Sequence, residues 1–235
     1  MSGKIWAFGC SQTYGHGLKD CIKEGNAPGD EPSKFAYPQL IGNALNKEVI
    51  NLSRPGASNK HMLRKIKIFQ SEMSVDDIVL IGWTNKDRHI ILKEGIDLDD
   101  MTMHGLPHPI GLHPTQIGKS KLADTYYKHI HDDNDANIVT MWYMNYAYLT
   151  LKEMGIKSIH CPVQPNKEEF SNSSFWSYFS SQTSDSKFEV GMSLLSKTFL
   201  HPDIAKLDKA LDNLHQGPKS HRVFADLIIT EFLTQ

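Results

Sequence analysis

Four consecutive apolar residues, Ile78 to Ile81, lie between two aspartates and Gly82. A run without polar residues is typical of a strand covered on both faces, as in parallel sheets that carry helices on both sides. Three other strand-like runs, at 4–8, 48–52 and 157–163, alternate with segments of helical periodicity. The alternation predicts an α/β domain with parallel strands connected through helices.

Apolar residues recur at helical spacing in four segments, at 37–46, 59–73, 137–154 and 220–233. Ser58 is predicted to cap the second of these helices, because its hydroxyl can accept a backbone N–H that has no partner inside the helix. The stretches 96–134 and 171–186 fit no element and are interpreted as insertions near the functional edge. The second holds Trp176 among serines and is predicted to be a substrate lid.

The size and charge of the chain limit its domains and partners. A length of 235 residues favours a single domain over 1–235. With 25 basic and 27 acidic side chains and a net charge of −2, no broad positive field is available for nucleic acid or an anionic membrane. Neither a signal-peptide core nor an apolar run of about 20 residues is present, so a soluble, cytoplasmic protein is expected.

The three cysteines, Cys10, Cys21 and Cys161, are an odd number at spacings that match neither a disulfide framework nor a zinc site. They are therefore predicted to be free or buried thiols.

A serine follows the first predicted strand, in the segment Gly9-Cys10-Ser11-Gln12-Thr13-Tyr14-Gly15. Parallel sheets bind ligands at the carboxyl ends of their strands, so Ser11 is predicted to face a substrate. Gly9 permits a tight turn after which the N–H and the hydroxyl of Ser11 can point the same way, as a nucleophile and an oxyanion donor. The alternative interpretation is a serine in an ordinary turn shaped by glycines.

Asp212 and His215 form an Asp-x-x-His pattern before the last predicted helix. This spacing lets the carboxylate reach the near imidazole nitrogen, which leaves Nε2 free to accept a proton from a serine. Because the chain has 12 histidines, a surface ion pair is the alternative interpretation.

Together these motifs resemble the SGNH hydrolase family, also called GDSL-like esterases. The family's four blocks have ordered counterparts over nearly the full chain, at 8–17, 51–59, 82–88 and 212–225. Cys10 stands where the family has aspartate, and the third block is one residue longer than the family's Gly-x-Asn. The resemblance implies a three-layer α/β/α sandwich of the flavodoxin-like type, with a mostly parallel five-stranded sheet.

The resemblance also implies the roles of individual residues. Ser11 would be the nucleophile, His215 the general base and Asp212 the residue that orients it. The oxyanion would be held by the N–H groups of Ser11 and Gly56 and by a third donor, either Asn85 in a shifted loop or the hydroxyl of Thr84.

The implied activity is ester hydrolysis through an acyl-enzyme, without a cofactor or a metal. The expected substrate is a small ester, with an acetylated carbohydrate as the first candidate. Two alternatives remain open at this point: a non-catalytic carbohydrate-binding or interaction domain on the same scaffold, and an O-acyltransferase.

Several other polar and aromatic residues permit two interpretations. His104, His108 and His113 follow a cluster of aspartates, but their spacing fits no recognised set of metal ligands, so they are predicted to be solvated. Arg54, Asn59 and Arg88 flank the oxyanion blocks and could bind a polar substrate or simply pack. The aromatic residues of the long helix, Trp142, Tyr143, Tyr146 and Tyr148, are predicted to pack in the core.

Overall fold

A computed structural model of the chain describes residues 3–91, 110–161 and 199–233. The strands within these ranges are β1 Ile5–Gly9, β2 Val49–Asn51, β3 Ile78–Gly82, β4 His89–Ile91, β5 Ile110–Leu112 and β6 Lys157–His160. The α-helices are α1 Ser11–Tyr14, α2 Tyr37–Leu45, α3 Asn59–Phe69, α4 Lys121–His129, α5 Asp133–Glu153, α6 Pro202–Ala205 and α7 Pro218–Ile228.

Four strands form one parallel sheet in the order β2-β1-β3-β6, and Gly9 lies opposite Gly82 where β1 and β3 end. The predicted α/β class is therefore confirmed. The prediction of a five-stranded sheet is wrong for the described residues, in which the parallel sheet has four strands. The count of five came from the family, whereas the sequence itself has four strand-like runs. The remaining strands, β4 and β5, pair antiparallel with each other in a small separate sheet.

Both faces of the sheet are covered, because successive residues of a strand point to opposite sides. All residues of β1 and β3 are buried. Side chains of α3 and α5 pack on one face, where the cluster includes Trp6, Phe8, Val79, Ile81, Met62, Ile66, Met144 and Leu151. Side chains of α2 and α7 pack on the other face, where the cluster includes Ile5, Ala7, Ile78, Leu80, Leu40, Ile41, Phe224 and Ile228. The molecule is thus a three-layer α/β/α sandwich.

The helix starts follow from their capping residues. Ser58 accepts the N–H of His61 at 3.3 Å, which confirms the predicted cap of α3. Helix α5 begins at Asp133, four residues before the predicted start, because the side chain of Asp132 accepts the N–H of Asp135 at 2.9 Å.

Parts of the segments interpreted as insertions are ordered. Residues 110–134 contain β5 and α4 where a loop was expected. Residues 92–109, and the segment 171–186 with Trp176, lie outside the described residues. The expected core packing of the aromatics in α5 is wrong for Trp142 and Tyr146, which are 59% and 48% exposed.

The three cysteines are free and buried, as the sequence predicted. Among the residues that the structure describes, no helix combines the length and the apolar character that crossing a membrane requires.

Candidate active site

Ser11 is the first residue of α1 and lies directly beyond the carboxyl end of β1. The side chain of Thr13 covers the ends of β1 and β3, since a Cβ atom on Gly9 or Gly82 would come within 2.0 or 2.2 Å of its Oγ1. Glycine is required at both positions because α1 passes so close above the strands. Cys10 is buried in the core beneath, which explains why a thiol can replace the family's aspartate there.

Asn51, at the end of β2, connects the second block to the first through side-chain hydrogen bonds. Its Nδ2 donates to the carbonyl of Thr13 at 3.0 Å, and its Oδ1 accepts the N–H of Ser53 at 3.1 Å. The N–H of Arg54 then donates to the carbonyl of Gly9 at 3.0 Å. These bonds hold the turn after β2 beside the segment that carries Ser11.

Gly56 occupies a left-handed backbone conformation, with φ of +79°, in a turn closed by the N–H of Ala57 and the carbonyl of Arg54 at 3.1 Å. A Cβ atom there would meet nothing within 4 Å, so the glycine is needed for its backbone conformation and not for space. Within the described ranges, neither the N–H of Gly56 nor that of Ser11 donates a backbone hydrogen bond. Both N–H groups are therefore available to a ligand.

The third block is fixed by Asn59, whose side chain pairs with the backbone of Thr84 in both directions, at 2.9 and 3.1 Å. Asn85 uses its Oδ1 to accept the N–H of Asp87 at 2.9 Å. That bond orients the Asn85 amide and leaves its Nδ2 hydrogens for another acceptor. Thr84 is nearly buried, whereas Asn85 is half-buried.

Asp212 and His215 are directly hydrogen-bonded, with 2.5 Å between Oδ2 and Nδ1. The other carboxylate oxygen accepts the N–H groups of Leu214 and His215, both at 3.0 Å. Burial tends to raise the pKa of Asp212, but these hydrogen bonds outweigh it, and the pKa lies below its ordinary value. The carboxylate is thus ionised and held in a fixed orientation against the imidazole.

The turn that follows Ser11 contacts the loop that carries His215. The N–H of His16 donates to the carbonyl of Ser11 at 3.0 Å, and its ring lies 4.7 Å from the ring of His215, measured between centroids. The carbonyl of Gly17 accepts the N–H of Leu211 at 2.9 Å. Segments from the two ends of the chain therefore meet at the same edge of the sheet.

The pKa of His215 is lowered, chiefly by burial, and the nearby charges of His16 and Arg88 lower it further. The Asp212 carboxylate acts in the opposite direction without reversing the shift. At neutral pH the imidazole is consequently uncharged. With its Nδ1–H donated to Asp212, the lone pair on Nε2 is free to accept a proton.

Replacing Gly17 with alanine is expected to remove most of any activity that depends on the Asp212–His215 pair. Gly17 has a φ of +88°, and an added Cβ atom would lie 2.7 Å from Oδ2 of Asp212, inside van der Waals contact. The carboxylate would have to move, so we expect kcat for ester hydrolysis to fall at least about tenfold. The matched control is Gly25→Ala, also at positive φ, where the added atom meets nothing within 4 Å and activity should be kept. Equal effects of the two substitutions would contradict the account.

Within residues 3–91, 110–161 and 199–233, two groups of side chains offer potential metal ligands within 4.8 Å of one another: His16 with Asp212 and His215, and Asp87 with His131 and Asp133. In the first group the Asp212 carboxylate already accepts three N–H groups. In the second, the Lys86 ammonium lies 3.4 Å from Asp133. Neither group had been anticipated from the sequence.

His104, His108 and His113 were considered as metal ligands from the sequence, and none of them belongs to either group. His113 instead caps a short 3₁₀ turn by accepting the N–H of Thr115. His104 and His108 lie outside the described residues, as do the aspartates that precede them.

Sequence reasoning missed His16, Gly17 and Asn51 as parts of the site, although all three stand inside the motif blocks. The Gly-His-Gly triplet after Ser11 was a usable signal, because closely spaced glycines often permit a close approach of the backbone to another group.

No family model matches the chain, and no curated protein is significantly similar to it. Several solved structures, in contrast, are similar to this chain. The TesA crystal structure matches with a TM-score of 0.52 and 11% identity over 98% of each chain. A carbohydrate esterase whose active site displays divergent catalytic and non-catalytic binding functions matches with a TM-score of 0.51 and 12% identity, over 100% of this chain and 65% of that one. A G-D-S-L family lipolytic protein from Veillonella parvula DSM 2008 has a TM-score of 0.49 at 11% identity, over 99% of each chain.

Likenesses at such low identity establish the fold. The chain therefore shares the fold of TesA and of this carbohydrate esterase, and the three-layer α/β/α sandwich that the sequence resemblance implied is confirmed.

Proposed function

We propose that the protein is a serine esterase in which Ser11 is the nucleophile, His215 the general base and Asp212 the residue that orients it. The observation that carries the proposal is the hydrogen-bonded Asp212–His215 pair, which His16 and Gly17 join to the turn carrying Ser11. Nucleophilic acyl transfer requires an uncharged imidazole that a carboxylate orients, and here that imidazole contacts the turn that carries a serine at a strand end.

In the first half-reaction, Nε2 of His215 accepts the hydroxyl proton of Ser11 while Oγ attacks the ester carbonyl carbon. The carbonyl electron pair moves to oxygen, which the N–H groups of Ser11 and Gly56 stabilise together with a side-chain donor from the third block. Collapse of this intermediate breaks the bond to the alcohol, which takes the proton from His215. The acyl group is left on Ser11.

In the second half-reaction, His215 removes a proton from water, and the resulting hydroxide attacks the acyl-enzyme. Breakdown releases the carboxylic acid, and the proton on His215 returns to Oγ of Ser11. Asp212 stabilises the imidazolium formed in each step and keeps Nε2 directed at the reacting atoms. All the proton transfers are made by side chains of the protein, so the cycle uses no cofactor.

Asn85 is the third oxyanion donor in this proposal. The Nδ2 hydrogens of Asn85 have no partner among the described residues. The backbone N–H and carbonyl of Thr84, in contrast, are both hydrogen-bonded to the side chain of Asn59. Asn85→Ala is expected to lower kcat about 10²- to 10³-fold, because one preorganised donor to the developing charge is lost. Thr84→Val, which removes the rival hydroxyl at nearly constant volume, should change kcat by less than about fivefold. A larger loss in Thr84→Val than in Asn85→Ala would assign the role to Thr84.

The pH dependence of ester hydrolysis tests the proposed function. Activity requires uncharged His215 and is lost as the pH falls through the pKa of that residue. Since this pKa is lowered, kcat/KM for p-nitrophenyl acetate should have an acid limb with an apparent pKa below 6.5. Activity should therefore persist at a pH where an unperturbed histidine would be half protonated. No hydrolysis between pH 5 and 8, or an acid limb above 6.5, would count against the proposal.

The proposed substrate class is supported by a similar solved structure more than by the triad. One similar structure, with a TM-score of 0.51, is a carbohydrate esterase, which favours a small acyl group on a carbohydrate as the substrate here. That esterase also has non-catalytic binding functions, which keeps a carbohydrate-binding role as the second candidate.

Product analysis separates the remaining alternatives. Incubation with p-nitrophenyl acetate, with and without a sugar acceptor, should yield acetate in both cases. Transfer of most acetyl groups to the sugar would indicate an O-acyltransferase, and sugar binding without any turnover would indicate a binding domain.

A further inference from the structure

Arg88 follows the proposed oxyanion donor by three residues, and its N–H donates to the carbonyl of Asn85 at 3.2 Å. The side chain is half-buried. Its Nε and Nη1 atoms are shielded from solvent and make no hydrogen bond. Guanidinium N–H groups that are removed from water normally pair with a carboxylate, a phosphate or a carbonyl, because leaving them unpaired is costly.

The acidic side chains in this region, Asp87 and Asp133, lie closer to His131 or Lys86 and form no ion pair with Arg88. Oδ1 of Asp87 makes no hydrogen bond to Arg88 and lies 3.5 Å from Nε2 of His131. Asp133 lies within 3.4 Å of both Lys86 and His131. Among the described residues, the guanidinium therefore has no internal counter-ion that satisfies Nε and Nη1.

Arg88 lies within electrostatic range of the proposed catalytic base. The pKa of His215 is lowered mainly by burial, and the positive charge of Arg88 contributes to the shift. Burial lowers the pKa of His113 as well, and Arg88 again contributes. The guanidinium thus lies within electrostatic range of both histidines, near the place where the scissile ester would bind.

The segment that runs from the second block into α3 is basic. Between Glu48 and Glu72 the chain has no acidic residue, whereas it has five basic ones: Arg54, Lys60, Arg64, Lys65 and Lys67. The charge of Lys60 reaches the third block, where it lowers the pKa of His89, although burial of that histidine is the larger cause. A positive field from both blocks would draw anionic ligands towards the site.

We propose that Arg88 binds a carboxylate carried by the ester substrate, so that the preferred substrates of this site are anionic esters. The inference rests on the proposed function and specifies its substrate class. A carboxylate next to the reacting ester would satisfy the unpaired N–H groups of Arg88 and would fix the position of the carbonyl relative to Ser11.

The test compares two chromogenic esters that differ in one group: the mono-p-nitrophenyl ester of adipic acid and p-nitrophenyl hexanoate. The readout is the ratio of kcat/KM for the anionic ester to that for the neutral one. We expect Arg88→Gln to lower this ratio about tenfold or more, since a charge-assisted hydrogen bond is lost. Arg88→Lys should lower it less, because the charge remains while the fork-shaped donor set is lost.

Lys86→Gln is the matched control, because it removes the same charge two residues away from a side chain paired with Asp133. It should leave the ratio within about twofold of the wild-type value, since a single exposed ion pair contributes little. The inference is overturned by an unchanged ratio in Arg88→Gln, or by an equal loss in Lys86→Gln. A changed pKa of His215 in either variant affects both esters alike and cancels in the ratio.

A binding measurement keeps the inference separate from catalysis. Free adipate should raise the thermal unfolding midpoint of Ser11→Ala, and it should not raise that of Ser11→Ala combined with Arg88→Gln. An equal rise in both proteins, or a rise in neither, overturns the anion site even if neutral esters are hydrolysed. Failure of wild-type protein to hydrolyse either ester, together with a rise confined to Ser11→Ala, would leave the anion site standing and refute the esterase.

Discussion

Ser11→Ala is expected to lower kcat for p-nitrophenyl acetate by roughly 10⁴-fold or more, because the variant loses the hydroxyl that forms the acyl-enzyme. Ser11 is only 6% exposed. Its side chain makes no hydrogen bond within the described ranges, so removing one oxygen should alter stability little. The measurement is steady-state hydrolysis by purified wild-type and variant protein, with the thermal unfolding midpoint of each.

Ser53→Ala is the matched control for that experiment. Ser53 is also 6% exposed, belongs to the second block, and has an Oγ atom that makes no hydrogen bond. Its loss should leave kcat within about threefold of the wild-type value. Full turnover in Ser11→Ala, or an equal loss in the two variants, would show that the hydroxyl of Ser11 is not the nucleophile.

Asp212→Asn is expected to lower kcat by about 10³- to 10⁴-fold. The amide can present an N–H to Nδ1 of His215, which favours the tautomer that carries its proton on Nε2 and cannot accept another there. The same change weakens acceptance of the N–H groups of Leu214 and His215, so a loss of stability should accompany the loss of activity. Rate and unfolding midpoint are therefore measured on the same samples.

Asp208→Asn separates the two effects of the Asp212 substitution. Asp208 accepts the N–H groups of Lys219 and Ser220 at 2.8 and 3.0 Å, at the start of α7, without contacting the His215 ring. Its replacement should lower stability comparably while lowering kcat less than about tenfold. Comparable rate losses in both variants would mean that Asp212 acts only by stabilising the loop.

Much of the fold could be predicted because its strands are short apolar runs that a sheet buried on both faces requires. Ile78 to Ile81 are the first four of the five residues of β3, and all of β3 is buried. The number of strands was wrong because it came from the family and not from this sequence. The start of α5 was missed because the polar residues before it, including Asp132, cap the helix and do not belong to a loop.

The candidate site was predictable where its chemistry is local in sequence. The spacing of Asp212 and His215 is enough to predict their hydrogen bond. Gly9 similarly indicates that α1 passes close above the strands. The contacts of His16 and Gly17 could not be predicted, because they depend on how two distant loops meet. Exposure of Trp142 and Tyr146 was missed for the same reason, since periodicity alone does not say what lies opposite a helix.

The central claim is that Ser11 is a nucleophile activated by His215, and covalent labelling with a fluorophosphonate tests it most directly. Mass spectrometry of the digested, labelled protein should place the adduct on the peptide containing Ser11, and His215→Ala should slow its formation by orders of magnitude. Absence of an adduct on folded wild-type protein, or labelling of Ser11 at an unchanged rate in His215→Ala, would contradict the account.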